Sequence, residues 1–448
     1  MASTDTLDLF IVTFNAGKKQ VNTSIFGQHV HGAFARNGPG LPDLVVICLQ
    51  EMAPLAKAFI GSYMIGPFFQ CYEVSVNTAA AAFVAGQDPA SRPKPPFYTV
   101  IATRNVGMTG IVLLARDPSV VHGLQSSEVG FGAGDMANKG AVGLRMLFAR
   151  DSQSTELTFV STHLAAMEWN LDKRNKNWES IVSGLVFEDP RNLIGDPSAR
   201  PTSRDGDDEE TESLLSHKNA LHNISIYKPS SHLFVGGDLN YRISKTSPNV
   251  DSAFPDLQPG SPNYYPRFLA QDQLKAEKDA GRTLHGLTEA GIEFPPTYKL
   301  SIKKDDSSPN PTWKYASHRW PSWCDRILYL ETPGWAGKDK TKITVLGYDA
   351  LPPMKTSDHQ PVFLRLTVPI LEPAQLIPPD GIDAANSQDP RIKLPYTIDL
   401  QAWEHRAQVK KWEFLIGWSM LASQSKQGIG AFVAVFLIGL GTWWFRSQ

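Results

Sequence analysis

The chain has 448 residues, of which 42% are hydrophobic and 20% are charged, and its formal net charge is -2. This composition excludes a disordered chain and supplies enough apolar side chains for a large core. The absence of a basic excess argues against a general nucleic-acid-binding protein, whose affinity comes from neutralising phosphates. Three widely spaced cysteines, Cys48, Cys71 and Cys324, match neither a disulfide framework nor a zinc cluster. We therefore expect a reducing compartment, with the folded domain in the cytosol.

The first predicted element is a strand over Leu7–Phe14, because the N-terminus lacks the basic and long apolar regions of a secretory signal. Similar runs rich in β-branched and aromatic residues recur to about residue 366, and they predict many strands. They read, in chain order, LDLFIVTF, DLVVICLQ, FYTVIATR, MTGIVLLA, AVGLRMLF, ELTFVSTH, HLFVGGDL, WCDRILYL, KITVLGYD and PVFLRLTV. Helices are predicted over Leu171–Leu185 and Tyr265–Ala280. Numerous strands with few crossover helices indicate an α/β sandwich of two packed sheets flanked by helices.

Two polar stretches divide the chain. Residues 189–216 include the acidic run DGDDEE from Asp205, which predicts a solvated, mobile surface insertion in a catalytic domain over 1–368. An acidic regulatory loop is the alternative reading of this stretch. Residues 369–411 are rich in Pro and Asp and predict a linker that leaves the domain. The following segment, 412–427, has an apolar part that is predicted to lie on a membrane surface.

The C-terminal segment 428–445 carries no charge and lies between Lys426 and Arg446. About 18 helical residues span roughly 27 Å, which approaches the hydrocarbon thickness of a thin bilayer. Trp443 and Trp444 stand where an interfacial aromatic belt is expected. The pattern predicts a single-pass tail anchor with the catalytic domain in the cytosol, and the short span favours the endoplasmic reticulum membrane. A buried core helix is the alternative.

Polar residues able to bind metals or phosphate recur where the predicted strands end. Any one of them is compatible with an ordinary cap or turn, but rigid strand ends are also where folds present functional sites. These residues are Asn15, Gln50, Glu51, His163, Asp238, Asn240, Asp325, Asp358 and His359. Their carboxylate and amide oxygens are hard ligands of the kind Mg²⁺ prefers. The sequence contains no C-x5-R phosphatase loop and no phosphate loop ending in GK[ST], so metal-assisted phosphoryl transfer is the chemistry indicated.

Several longer segments resemble one family, the inositol polyphosphate 5-phosphatases of the Mg²⁺-dependent endonuclease/exonuclease/phosphatase superfamily. The matching strings are FNAG at Phe14, LQE at Leu49, NKGAVGLR at Asn138, STHLAA at Ser161, GGDLNYRI at Gly236, DQL at Asp272, FPPTYKL at Phe294, PSWCDRIL at Pro321 and SDHQPV at Ser357. The resemblance covers about Leu7 to Thr367. It implies a DNase I-like fold, a four-layer α/β sandwich of two packed mixed sheets. The tail is similar to that of fungal tail-anchored phosphatidylinositol 4,5-bisphosphate 5-phosphatases of the endoplasmic reticulum.

The resemblance also implies catalytic roles. Asn15 and Glu51 would hold Mg²⁺, with Asp358 supporting the metal region. Asp238 would accept a proton from the attacking water or align it, while Asn240 and His163 bind phosphoryl oxygens. His359, oriented by Asp325, would stabilise the negative charge that develops on phosphorus, and its carboxylate partner favours the charged imidazole.

Substrate contacts are implied in the same way. Asn138 and Lys139 resemble the family's contacts to the 1-phosphate, whereas Tyr298, Lys299 and Arg319 resemble its contacts to the 4-phosphate. Lys139 is also compatible with a solvated turn, and Tyr298 and Lys299 with the start of a strand. The family often has a second basic residue two positions before Arg319, where this chain has Ser317, so 4-phosphate recognition is expected to differ.

The predicted function is Mg²⁺-dependent hydrolysis of the 5-phosphate of phosphatidylinositol 4,5-bisphosphate by a membrane-anchored monomer that does not bind nucleic acid. Two other functions stay open at this point. A nuclease or sphingomyelinase of the same superfamily would share Glu51, His163, Asp238, Asn240 and His359, but would not need the TYK, WCDR or NKGAV strings. A catalytically inactive membrane scaffold would be expected to lack Asp238 or His359, and both are present.

Overall fold

The structure is a computed structural model that describes residues 6–87, 96–194, 207–303, 308, 310–337, 342–379, 387–424, 430, 437–444 and 446. Its strands are β1 (Thr6–Asn15), β2 (Leu44–Gln50), β3 (Thr99–Val106), β4 (Thr109–Ala115), β5 (Val121–Gly130), β6 (Gly140–Arg150), β7 (Gln153–His163), β8 (Ser231–Asp238), β9 (Leu287–Thr288), β10 (Leu300–Ile302), β11 (Trp313–Tyr315), β12 (Asp325–Leu330), β13 (Thr344–Ala350) and β14 (Val362–Pro369). Its helices are α1 (Thr23–Asn37), α2 (Leu55–Ile60), α3 (Gly66–Gln87), α4 (Leu171–Gly184), α5 (Arg191–Ile194), α6 (Asp207–Ile224), α7 (Gln273–Asp279), α8 (Pro373–Leu376) and α9 (Ala402–Ser423).

Two six-stranded mixed sheets form the centre of the molecule. The first has the order β13-β14-β1-β2-β4-β3 and the second the order β5-β6-β7-β8-β12-β9, while β10 and β11 form a separate hairpin. The strands in the middle of each sheet are buried on both faces, which explains their near-continuous apolar sequences. The predicted sandwich of two packed sheets is confirmed.

Three apolar clusters define four layers. Side chains such as Ile11, Val46, Leu144 and Phe159 pack between the two sheets. On the other face of the first sheet a second cluster packs β-strand residues against α1 and α3, and on the other face of the second sheet a third cluster packs against α4. Each sheet thus has helices on its outer face, as in the predicted four-layer arrangement.

Strand register brings the predicted polar residues to one edge of this sandwich. In the first sheet, parallel β1 and β2 place Asn15 opposite Gln50. In the second sheet, parallel β7 and β8 place His163 opposite Asp238, and antiparallel β12 places Asp325 opposite Asp238. The carboxyl ends of four strands, together with the start of β12, therefore converge on one cleft between the sheets.

The predicted strands are all present, and the polar strand β5 and the short strands β9, β10 and β11 were not predicted. The helix predicted over Leu171–Leu185 is α4. The helix predicted over Tyr265–Ala280 is instead a 3₁₀ segment followed by α7, because Asp272 is extended and accepts the Lys275 N–H at 3.2 Å as an N-cap. The acidic stretch is helical from Asp207, and residues 195–206 of the predicted insertion lie outside the described residues.

The stretch predicted to be a linker differs from that prediction where it is described. Leu376, Arg391, Ile398 and Val409 are buried against the domain, and α9 lies against α2. This arrangement is possible because Gly417 has no side chain: a Cβ there would lie 2.9 Å from the Ala56 carbonyl oxygen. The chain after residue 369 therefore stays attached to the catalytic domain as far as α9.

The predicted membrane segments are described only in part. Residues 412–423 form the second half of α9, and of the segment 428–445 only residues 430 and 437–444 are described. Within the described ranges, no helix combines the length and the apolar character needed to cross a bilayer.

Candidate functional site

Asp238, the last residue of β8, lies at the centre of the cleft. Its Oδ2 accepts a hydrogen bond from Asn15 Nδ2 at 3.0 Å and lies 3.2 Å from His163 Nε2. Its Oδ1 accepts the backbone N–H of Asn240 at 3.1 Å. Asp238 is buried, and burial alone would raise its pKa, but the positive charge of His359 and the contact with His163 hold the pKa below its ordinary value. The carboxylate is thus ionised and held by residues from both sheets.

His359 and Asp325 form a buried pair beside Asp238. His359 Nδ1 lies 2.9 Å from Asp325 Oδ2, which also accepts a hydrogen bond from Thr297 Oγ1 at 2.7 Å. The other ring nitrogen, Nε2, points towards Asp238 and lies 3.8 Å from its Oδ2. Burial favours the neutral imidazole, but the carboxylates of Asp325 and Asp238 outweigh it and raise the pKa of His359 to about 9. His359 is therefore an imidazolium at neutral pH.

His163 differs from His359 in charge. It is buried, and both burial and the neighbouring Lys139 cation lower the pKa of its imidazole. The Lys139 ammonium forms a hydrogen bond with the His163 ring. The negative charges of Asp238 and Glu51 have the opposite effect and raise this pKa, so Glu51 is close enough to act on His163. At neutral pH, His359 is thus positively charged and His163 is neutral.

Arg242, which was not predicted from the sequence, contacts several residues of the cleft. Arg242 is buried; it donates from Nε to the Asn240 carbonyl at 3.0 Å and also hydrogen-bonds the Asn240 side chain. Its guanidinium lies 4.2 Å from the centre of the Tyr298 ring, and that ring lies 4.6 Å from the imidazole of His359. Asn240 has a φ of 56°, which asparagine tolerates better than most residues. Arg242 therefore links Asn240 to His359 through Tyr298.

The cleft contains ligand atoms suited to a divalent cation. Within the described ranges, Asp238, Asp325 and His359 form a group whose ligand atoms all lie within 4.8 Å of one another. Asp325 Oδ1 is buried and accepts no hydrogen bond. The predicted metal ligand Asn15 lies against Asp238, while Glu51 follows β2 with its carboxylate 3.4 Å from Lys18 Nζ. This oxygen-rich donor set fits a hard cation such as Mg²⁺.

Three of the predicted substrate-binding residues contact residues predicted to be catalytic: Lys139 contacts His163, and the Tyr298 ring lies against His359. Lys299 forms an ion pair with Asp358, so Asp358 contacts a predicted substrate residue. Arg319 Nη1 lies 3.9 Å from an oxygen of Glu168, a fully buried residue. Asn138 precedes Lys139, and its Oδ1 is buried with no hydrogen-bond partner among the described residues. The basic groups of Lys139 and Lys299 thus lie next to His163 and Asp358.

Comparison with known protein families agrees with this geometry. The model of the family described as "Endonuclease/Exonuclease/phosphatase family 2" matches residues 12–365. The chain belongs to this family. The match extends from β1 to β14, so it includes every residue of the cleft described above.

Curated relatives of this chain include 5-phosphatases. The chain is 31% identical over 263 residues to the mouse type II inositol 1,4,5-trisphosphate 5-phosphatase, across 57% of this chain and 21% of that protein. It is 30% identical over 280 residues to the Arabidopsis thaliana type I inositol polyphosphate 5-phosphatase 8, across 61% of this chain and 48% of that protein. The chain therefore spans less than half the length of these two relatives. The resemblance that the sequence strings predicted is confirmed for the family, whereas the likeness to fungal tail-anchored enzymes stays a prediction.

A solved structure has a similar fold. The inositol polyphosphate 5-phosphatase domain of SpSynaptojanin, crystallised with inositol (1,4)-bisphosphate and a calcium ion, matches with a TM-score of 0.55 and 20% identity. The match covers 94% of this chain and 93% of that chain. It confirms the DNase I-like sandwich predicted from the sequence.

Proposed function

We propose that this protein hydrolyses the 5-phosphate of phosphatidylinositol 4,5-bisphosphate, and of other 5-phosphorylated inositol phosphates, in the presence of Mg²⁺. The observation that carries the proposal is the contact between the two sheets at Asp238. There, an ionised carboxylate faces a neutral histidine and a cationic one, beside a set of hard oxygen ligands. Phosphoryl transfer needs this combination of a positioned water, positive charge and a metal.

Each side chain of the cleft has a separate role in the proposed reaction. Asp238, being ionised, accepts a proton from the attacking water or aligns it, and Asn240 and His163 hold phosphoryl oxygens by hydrogen bonds. The His359 imidazolium, oriented by Asp325, stabilises the negative charge that develops on phosphorus. Asn15 and Glu51 would hold Mg²⁺, and the bound ion supplies additional charge neutralisation at the phosphate. His359 is a poor metal ligand while it is protonated, so it would not be expected to hold the ion.

The predicted substrate-binding residues are proposed to select the substrate. Asn138 and Lys139 are proposed to bind the 1-phosphate, which in a lipid is the diester that joins the headgroup to its glycerol. Tyr298, Lys299 and Arg319 are proposed to bind the 4-phosphate, because charge-assisted donors are the usual partners of phosphate oxygens. All of these residues come from one chain, so a monomer is sufficient to form the site.

Phosphate release from a defined panel tests this function. We expect release from vesicles that contain phosphatidylinositol 4,5-bisphosphate and from soluble inositol 1,4,5-trisphosphate, and none from the corresponding compounds that lack the 5-phosphate. Addition of EDTA should stop the reaction and excess Mg²⁺ should restore it. Equal release from substrates with and without the 5-phosphate would contradict the proposal.

The pH dependence of turnover follows from the pKa of His359. Because this pKa is raised to about 9, the imidazolium is present below that pH and is lost as pH rises through it. We expect kcat to fall along an alkaline limb near this value. Asp325→Asn removes the carboxylate that raises the pKa of His359 most, so the alkaline limb should move to lower pH. A pH profile of kcat for both proteins measures the shift, and an unmoved limb would remove His359 from the mechanism.

We also propose that the protein is anchored to the endoplasmic reticulum membrane through segment 428–445, with the catalytic domain in the cytosol. Support comes from the outer face of α9, where the large apolar residues Trp412, Leu415 and Trp418 are exposed beside Lys410 and Lys411. Aromatic side chains next to lysines are typical of a helix that lies against anionic lipid headgroups. In this arrangement the tail keeps the cleft close to its lipid substrate.

Removal of residues 425–448 tests the anchor. We expect the shortened protein to move from the membrane to the soluble fraction while its kcat/KM for inositol 1,4,5-trisphosphate changes by less than about twofold, since α9 and the cleft are retained. Its rate on vesicles should fall further than its rate on the soluble compound. Retention of the shortened protein in the membrane fraction would contradict anchoring by the tail.

A further inference from the structure

The buried carboxylate of Glu413 connects α9 to the loop that carries two proposed substrate contacts. Glu413 is 2% exposed and lies on the inner face of the helix. Its Oε1 accepts the backbone N–H of Ala137 at 2.6 Å. Ala137 directly precedes Asn138 and Lys139, so a side chain from the C-terminal part of the protein holds the backbone next to the cleft.

Arg406 fixes the position of the Glu413 carboxylate. Its Nη1 and Nη2 donate to Oε1 and Oε2 of Glu413 at 2.9 and 2.6 Å, and its Nε donates to Glu128 Oε1 at 3.0 Å. A guanidinium that is shared in this way between two carboxylates has a defined plane and little rotational freedom. The acceptor for the Ala137 N–H is therefore held in place from both α9 and β5.

Ala137 is also fixed through its carbonyl group. Its carbonyl oxygen accepts the Met108 N–H at 3.3 Å, and a Cβ added at Gly107 would lie 1.8 Å from that oxygen. Gly107 has a φ of 48°, so this turn requires glycine both for conformation and for space. Ala137, the residue before Asn138, is thus held between the β3–β4 turn and α9.

We propose that Glu413 is a positioning residue that sets the location of Asn138 and Lys139 for the 1-phosphate of the substrate. This inference rests on the proposed function of the cleft. Glu413 does not touch the substrate; it acts through the Ala137 peptide. It follows that α9 is part of the working catalytic unit, although the family match ends at residue 365.

Hydrogen–deuterium exchange of the substrate-free, full-length protein tests the structural half of the proposal without any assay of activity. We expect Glu413→Ala to increase amide exchange in residues 131–139, because the Ala137 N–H loses its acceptor. Glu404→Gln is the matched control, since Glu404 is an exposed acid on the same helix. Unchanged exchange at Ala137 in Glu413→Ala would overturn the proposal even if the enzyme proved to have another substrate.

Substrate preference tests the functional half. Inositol 1,4,5-trisphosphate and inositol 4,5-bisphosphate differ only in the 1-phosphate. We expect Glu413→Ala to lower kcat/KM by at least about tenfold for the first and by about twofold or less for the second, because one misplaced charged contact is worth this much. Glu413→Gln keeps an acceptor for Ala137 and should retain most of the preference. Equal losses on both substrates would reduce Glu413 to a stabilising residue and overturn its positioning role.

A double-mutant cycle with Asn138→Ala completes the test. If Glu413 acts by placing Asn138 and Lys139, its substitution should cost less once Asn138 has been removed, so the two effects on kcat/KM should be less than additive. Additive effects would show that Glu413 and Asn138 act independently, which is the result that overturns the proposal. Thermal unfolding of each variant identifies any loss that comes from unfolding.

Discussion

Asp238→Asn should lower kcat on inositol 1,4,5-trisphosphate by about 10³-fold while the protein stays folded. The amide has nearly the same shape as the carboxylate, but it carries no charge and is a much weaker base. The hydrogen bonds that Asp238 Oδ2 accepts from Asn15 and that Oδ1 accepts from the Asn240 N–H are aimed at a carboxylate. The substitution also removes one of the three carboxylates that raise the pKa of His359. Single-turnover kinetics and circular dichroism measure the two parts of this expectation.

Asp279→Asn is the matched control for this substitution. Asp279 is the last residue of α7 and is exposed, so the same change of charge should leave kcat within about twofold of the wild-type value. Near-wild-type turnover by Asp238→Asn would exclude Asp238 from the chemical step. Loss of the native circular-dichroism spectrum would instead assign the residue a structural role.

Glu51→Gln should weaken the binding of Mg²⁺ by at least about tenfold and lower kcat at limiting metal. The carboxylate follows β2, forms an ion pair with Lys18 at 3.4 Å, and acts electrostatically on His163. Its replacement by a neutral amide removes one of the hard, charged ligands that a divalent cation needs. Titration calorimetry with Mg²⁺ alone measures the affinity directly, and the metal dependence of kcat gives the functional counterpart.

Glu293→Gln makes the same chemical change at an exposed position and should leave the Mg²⁺ affinity unaltered. If Glu51→Gln bound Mg²⁺ as tightly as the wild-type protein, the ligands would have to come from Asp238 and Asp325 without Glu51. The metal would then lie nearer to His359, and the assignment of Asn15 and Glu51 as ligands would be wrong.

Most of the sandwich could be predicted from the sequence because its central strands are buried on both faces. Runs such as VVICL in β2 and IVLLA in β4 have no polar face, so their apolar content identifies them without any knowledge of tertiary contacts. Strand β5, in contrast, reads VHGLQSSEVG and lies at the edge of its sheet with a register irregularity after His122. Its side chains are mostly polar, so pairing with β6 stabilises it more than local sequence does.

The catalytic residues could be predicted individually, but their distances could not. Asn15, His163 and Asp238 stand at strand ends, which the sequence shows, whereas the meeting of the two sheets depends on register and on packing between layers. Arg242 was missed although it lies within the GDLNYRI string. A buried arginine that orients a neighbouring asparagine has the same sequence signal as a surface arginine, and only its burial distinguishes them.

The docking of α9 was not predictable for a different reason. The inner face of the helix consists of small and charged residues, Ala402, Val409, Glu413 and Gly417, while large apolar residues such as Trp412 and Leu415 are exposed. The distribution of large apolar residues therefore predicts that the exposed face of α9 is the buried one. Close approach at Gly417 and the ion pair of Glu413 with Arg406 replace the apolar contacts that usually reveal a buried helix face.

The position of the phosphate that is removed tests the central claim most directly. When inositol 1,4,5-trisphosphate is incubated with the full-length protein and Mg²⁺, ³¹P NMR of the products should show inositol 1,4-bisphosphate and inorganic phosphate as the only products. Formation of inositol 1,5-bisphosphate or inositol 4,5-bisphosphate, or cleavage of a phosphodiester in place of the monoester, would contradict a cleft built to hydrolyse the 5-phosphate.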